Sequence, residues 1–235
     1  MSDLIKVILL TSLAGSAIPL GAYLAGRERF VPHRFLKEFQ HAIIAFGGGA
    51  LLSAIALVLV PEGIDRLPAV PSLLAFGAGG LVFGFLDHLL SRREGRLAQF
   101  MAMMLDYIPE AMALGAMMIG QSSVALLLAG LIALQNLPEG YNAWNEMTTK
   151  KRNPKLLAVF IAMVPAGAVA AVVGLTILGE AQAVLGAIML FSAGGILYLL
   201  FEDIAPQVPI AQRWAPPMGA VMGFMLGLAG HLAIG

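Results

Sequence analysis

Apolar residues run along this chain in stretches about as long as a lipid bilayer is thick, separated by short segments bearing charge, glycine or proline. Bounding the stretches at those segments predicts helices near 4–25, 42–60, 70–90, 97–119, 122–144, 156–178, 183–201 and 217–234. Each is close to the roughly 20 residues an α-helix needs to cross the hydrocarbon core. The first run reads as a membrane helix rather than a signal peptide: its apolar part is long, Lys6 is its only basic residue, and no cleavage site follows it. The pattern therefore predicts an all-α, polytopic membrane protein of eight transmembrane helices, forming a single transmembrane domain over residues 1–235.

Composition agrees, since 59% hydrophobic and 12% charged residues are too apolar a mixture for a soluble domain with a wetted surface. The lipid bilayer is the expected solvent. Net charge is zero and the basic residues lie in short clusters, so no nucleic-acid partner is expected. The absence of cysteine excludes disulfides and thiolate metal ligands. Twelve of the fourteen Lys and Arg fall in the segments after helices one, three, five and seven. Basic residues in short loops stay on the cytoplasmic side, so both termini are predicted to lie outside. Short loops fit a cytoplasmic cell membrane.

Three carboxylates interrupt the apolar spans: Asp106 and Glu110 in helix four, and Glu139 in helix five. Charge at that depth is costly and is by default functional. Every Lys and Arg sits at a helix end or in a loop, so a structural salt bridge is a poor account of them. The competing bland account is protonated carboxyls hydrogen-bonded between helices. Spacing favours a bound cation, because Asp106 and Glu110 are one turn apart on one face, as are Gln135 and Glu139, with Asn136 beside them. Pro109 and Pro138 precede the two glutamates, and a mid-helix proline leaves the carbonyl four residues earlier, Leu105 or Leu134, without its amide partner. Acids, amides and freed carbonyls make a hard, oxygen-rich setting suited to a divalent cation.

Segments of the chain also resemble one another. LDYIPEAMA in helix four and LQNLPEGYN in helix five share a proline–glutamate core, and FGGGALL in helix two is similar to FSAGGIL in helix seven. Both pairs fall on oppositely directed helices, which suggests an inverted repeat meeting at mid-membrane, an arrangement found in secondary transporters.

At these residues the chain resembles the ZIP (Zrt/Irt-like) family of divalent metal transporters, whose fourth helix typically reads HNxPEG and whose fifth reads HxxPEG or QNxPEG. Here the stretches are DYIPEA, Asp106 to Ala111, and QNLPEG, Gln135 to Gly140. The segments from Phe191 to Pro206 and from Ala45 to Gly63 are similar to the family's seventh and second helices, so the likeness covers nearly the whole chain. The resemblance implies that Asp106, Glu110, Gln135, Asn136 and Glu139 line a central site for one or two metal ions. It further implies a 3+2+3 helix arrangement, a homodimer, and import toward the cytoplasm without ATP. The metal (zinc, manganese, iron, cadmium or similar) would be substrate rather than cofactor.

Departures from the family pattern bear on selectivity. Asp106 stands where the family usually has histidine, Tyr107 where it has asparagine, and Ala111 where it has glycine; Gln135 replaces the histidine of many members. A site without imidazole favours harder ions such as manganese or iron(II) over zinc. Tyr107 is bulky enough to obstruct a second metal position. The histidine-rich loop usual after helix three is reduced to about residues 91–96.

Further residues are candidate parts of a pathway. Glu62 and Asp65 close helix two on the predicted outer side, Glu202 and Asp203 close helix seven on the inner side, and Asp87 and His88 sit at the inner end of helix three. They would concentrate cations at the mouths, although polar residues at helix ends are also ordinary interface anchors. His41 and His231 lie on opposite sides and read as structural; the methionines crowding helix four follow no single face and read as packing. Three alternatives to metal transport are a proton- or sodium-coupled carrier of an organic solute, a non-transporting ZIP-like membrane protein, and an intramembrane enzyme. The last lacks a nameable nucleophile or second catalytic motif, so no enzyme is expected.

Overall fold

The computed structural model describes residues 2–27, 33–91, 96–147, 154–178, 180–208 and 213–234, and it is helical almost throughout, with no strand among them. The described residues form eight rods. Helix α1 spans Asp3–Ala25. Helix α2 spans His33–Ala54 and runs on through a π-helical turn, Ile55–Leu59, into a last stretch Val60–Ile64. Helices α3, α4 and α5 are Ala69–Ser91, Arg96–Met117 and Ser122–Met147. Helix α6, Pro154–Val173, ends in a π-turn Gly174–Leu178. Helix α7, Gln182–Leu199, continues through a π-turn Leu200–Ile204 and a 3₁₀ turn Ala205–Gln207, and α8 is Ala215–Ile234.

Seven of the eight are long and apolar enough to cross a membrane. The other, α4, is 22 residues long and carries Asp106 and Glu110 within its span. Its two acids face inward: Asp106 and Glu110 are buried, as are Tyr107 and Leu114. Large apolar side chains point outward instead, Leu73, Leu81, Phe85 and Leu232 among them, as expected where lipid is the solvent.

The boundaries differ from the apolar runs mainly at α2 and α7. Both extend beyond the charged residues at which the runs end, so Glu62 lies within the last stretch of α2, and Glu202 and Asp203 lie inside the π-turn of α7. A charge lowers hydropathy but does not break the backbone ladder, so an apolar run ends before the helix does. Prolines 109 and 138 likewise sit inside uninterrupted helices.

Small residues set how closely the rods approach, as they do where lipid gives no hydrophobic drive to associate. In α1 and α5, a Cβ on Gly21 would run into the Leu137 carbonyl and one on Gly140 into that of Ile18. Helices α6 and α4 meet in the same way, through Gly174 against Met112 and Gly115 against Ala171. Helices α2 and α8 touch at Gly49 against Ala220 and Gly223 against Phe46, and α7 and α3 at Gly194 against Phe76 and Gly79 against Phe191. The α4–α5 turn passes through Gly120, whose φ of +86° an L side chain rarely adopts.

Helices α4 and α5 are thus held from outside by α6 and α1, while α2 and α7 pack across them from the other flank. That places the inward faces of the two proline-bearing helices at the centre of the molecule.

Candidate functional site

Asp106 and Glu110 project from successive turns of α4, and Gln135, Asn136 and Glu139 from facing turns of α5. The antiparallel hairpin brings the two sets together. The Gln135 amide Nε2 donates to Glu110 Oε2 at 2.5 Å, and the carboxyls of Asp106 and Glu139 meet across the same interface. All three carboxylates lie close enough to repel one another when ionised.

Their hydrogen bonding is incomplete. Among the described residues, every buried side-chain nitrogen or oxygen without a partner belongs to this group: Asp106 Oδ1, Glu110 Oε1, Gln135 Oε1, both amide atoms of Asn136, and Glu139 Oε1. Buried polar atoms are normally satisfied, and leaving one unpaired costs about 1–3 kcal/mol. Such a concentration marks a place where a ligand, an ion or water completes the coordination. Among the described residues no Lys or Arg pairs with it: the ion pairs are Lys6–Asp3, Arg66–Glu62 and Arg213–Glu38.

Asp106 and Glu139 also line a cavity of about 70 Å³, with Leu51, Met103, Asn142, Ile196, Asp203 and Gln207 among its other walls. That is room for several waters. The cavity extends from the acidic centre toward the end of the molecule that holds the C-terminus of α7. Its polar wall there is Asp203, whose carbonyl accepts from Gln207 Nε2 at 2.6 Å. Among the described residues no three His, Asp or Glu side chains converge on one point. An ion bound here would therefore take carboxylates from Asp106 and Glu139 and complete its shell with amide oxygens or water.

The remaining candidates separate by position. Tyr107 is fully buried but points away from the cavity, toward α1 and α6; its hydroxyl donates to the Thr11 carbonyl at 3.4 Å, and Gly15 and Gly167 leave space for its ring. Glu62 is tied into a network at the opposite end: Arg66 donates to Glu62 Oε2 at 2.6 Å and to Gln182 at 2.9 Å, and Gln121 Nε2 donates to the same Glu62 oxygen at 3.0 Å. Asp65 is exposed beside it. Asp87 accepts from the Tyr198 hydroxyl at 3.4 Å between α3 and α7, and His88 is exposed nearby. Glu202 points outward while its neighbour Asp203 faces the cavity. The structure thus gathers Asp106, Glu110, Gln135, Asn136 and Glu139, adds Asp203, and leaves Glu62, Asp65, Asp87, His88 and Glu202 outside.

Sequence reasoning passed over Asn142, Gln207, Gln121 and Gln182. Helical spacing was the available signal for the first two, since Asn142 lies three residues beyond Glu139 and Gln207 four beyond Asp203. Nothing local pointed to Gln121 and Gln182, which meet Arg66 only through the fold.

A comparison with protein-family models gives no match, and none of the curated proteins matches the chain.

Proposed function

We propose that this protein is a ZIP-like secondary transporter of divalent metal ions, moving them toward the cytoplasm through the site between α4 and α5. The observation that carries the reading is the set of orphaned buried oxygens on Asp106, Glu110, Gln135, Asn136 and Glu139, with no ion pair to any of these carboxylates among the described residues. Uncompensated intramembrane acids mark ion pathways. The donor set is all oxygen, which favours manganese or iron(II) over zinc. The cavity beside Asp106 and Glu139 provides access from the end bearing Asp203.

We read the helices as an inverted 3+2+3 repeat, an arrangement that favours a transporter. The π-turns of α2 and α7 begin nine residues after the related phenylalanines, Phe46 and Phe191, and each is followed by a proline, Pro61 or Pro206. The glycine crossings correspond too: Gly49–Ala220 and Gly223–Phe46 in one half have Gly194–Phe76 and Gly79–Phe191 as counterparts in the other. Exchanging α1–α3 with α6–α8, and α4 with α5, converts one set of helix contacts into the other. The homodimer and the outward termini belong to the same reading, and rest on the resemblance and on the distribution of Lys and Arg.

A second reading draws on the contact between the Asp106 and Glu139 carboxyls. Two carboxyls in contact need a proton or cation between them, and that ion would then be the coupling ion of an organic-solute carrier.

Uptake into proteoliposomes containing a metal-sensitive dye separates the two. Saturable uptake of manganese, iron(II), zinc, cobalt or cadmium that disappears in Glu139→Ala supports metal transport, and Asp106→His is expected to shift preference toward zinc. Uptake of none of these metals overturns it.

A further inference from the structure

Two large grooves open on the lipid-facing surface near the face that bears the C-termini of α1 and α7, and they differ in one respect. The groove between α2, α7 and α8, about 580 Å³, is walled by residues such as Leu52, Phe201, Phe224 and Leu228, with no charged side chain among the described residues. The other, of about the same volume, lies between α1, α5, α2 and α8 and has a guanidinium, Arg27, at its rim.

In this second groove the floor is apolar, with Leu24, Phe46 and Met222 contributing, while Arg27, Trp214 and Ala215 form the mouth. Arg27 lies over the Tyr23 ring, 4.6 Å from its centroid, and no carboxylate among the described residues pairs with it. Trp214 is 76% exposed, as indole rings at the headgroup level of a bilayer are. Trp214 and Ala215 stand at the N-terminus of α8, a 20-residue helix whose dipole directs positive potential to the same mouth. Lys37 and Arg213 add exposed positive charge at this end of the molecule, Arg213 partly offset by Glu38 at 3.3 Å.

We infer that this groove is a binding site for one anionic glycerophospholipid, its acyl chains lying in the cleft and its phosphate held at Arg27. The walls can take only hydrocarbon, and the rim asks for negative charge. No carboxylate is among the described residues that line the groove. A zwitterionic lipid brings its own cation to the same place and gains less from the guanidinium. The site also lies against the functional centre from behind: Leu137 and Pro138 form part of the wall, between Asn136 and Glu139 in sequence. A lipid seated there would fill the cleft that α1, α5, α2 and α8 leave between them.

Trp214 provides the readout, because the chain has only one other tryptophan, Trp144, which is buried. In Trp144→Phe protein reconstituted in phosphatidylcholine, a small fraction of phosphatidylglycerol brominated on its acyl chains is compared with the same fraction of brominated phosphatidylcholine. Quenching of Trp214 is expected to report about a fivefold preference for phosphatidylglycerol, the contribution of one basic residue near a headgroup. Arg27→Gln should reduce the preference to about one, and Arg27→Lys should retain it. A reporter in the uncharged groove, Phe224→Trp in a protein with both native tryptophans replaced by phenylalanine, should show none. Equal quenching by the two lipids at Trp214, a preference that survives Arg27→Gln, or the same preference at Phe224→Trp would each overturn the site. None of these readouts depends on metal transport.

Discussion

Acidic residues meet opposite circumstances at the two ends of the central hairpin. At the end where α4 turns into α5, Glu62 is paired with Arg66 and Gln121, and Arg66 also reaches Gln182, so α2, the α4–α5 turn and α7 are joined by satisfied hydrogen bonds. Toward the other end, Asp106 and Glu139 border a cavity that leads to Asp203, and their outer oxygens have no partner. The same residue type is therefore paired in one place and left with unpartnered oxygens in the other. On the proposed function, the pairing with a guanidinium would hold one end shut, and the unpaired carboxylates would leave room for an exogenous cation.

The largest effect that would test this contrast is on uptake. Glu139→Ala should lower the initial rate of metal uptake by about 100-fold or more, at least the upper end of what losing an outer-shell partner of a metal ligand costs, while Glu62→Ala should leave residual transport within about tenfold of the native rate. Thermal unfolding in metal-free detergent should then separate the two variants. Glu139→Ala removes a buried carboxyl with one unpartnered oxygen, losing its contact with Asp106 but also its repulsion of the other acids, and is expected to be close to neutral, whereas Glu62→Ala strands Arg66 and should cost about 2 kcal/mol. Destabilisation of similar size in both variants would erase the distinction between the ends.

Next comes accessibility. The native chain has no cysteine, so Ile196→Cys, in the cavity wall, would be the only thiol. A membrane-impermeant thiol reagent should label it from the side bearing the α7 C-terminus alone. Adding Arg66→Ala should admit the reagent from the other side as well. Labelling from both sides with Arg66 intact would show that the Glu62 network closes nothing.

Smaller effects sharpen the map. Asp203→Asn removes the acid that lines the cavity and should slow uptake by about fivefold, since one charge near a pathway is worth about 1 kcal/mol. Its neighbour Glu202 points outward, and Glu202→Gln should leave the rate within about twofold. The smallest change is expected from Tyr107→Phe, which loses only a long hydrogen bond to Thr11, costs less than about 1 kcal/mol in stability, and leaves uptake unaltered because the hydroxyl points away from the cavity.

Most of the helical layout could be read from the chain because an apolar run and the helix it forms are local matters. Predicted and observed limits coincide within a few residues for α1, α3 and α6, and diverge at α2 and α7, where charges end the run but not the backbone ladder. The meeting of Asp106 and Glu110 with Gln135 and Glu139 was likewise legible, since a short turn obliges α4 and α5 to pair and helical spacing puts each set on one face. The acids at the helix ends were not. Glu62 and Asp203 look alike in sequence, both close to a proline at the end of an apolar run, yet one meets a guanidinium and the other a cavity.

Sequence by itself determined the solvent this protein requires, the helices that cross it, and the depth and spacing of the carboxylates, because hydropathy and helical periodicity act over neighbouring residues. Tertiary structure alone decided which acid is satisfied and which is left open, that Tyr107 turns toward α1 and α6, and that Arg27 stands over an apolar groove. Those outcomes depend on which side chains neighbouring helices bring within 3–4 Å, the distance over which hydrogen bonds and van der Waals contacts act.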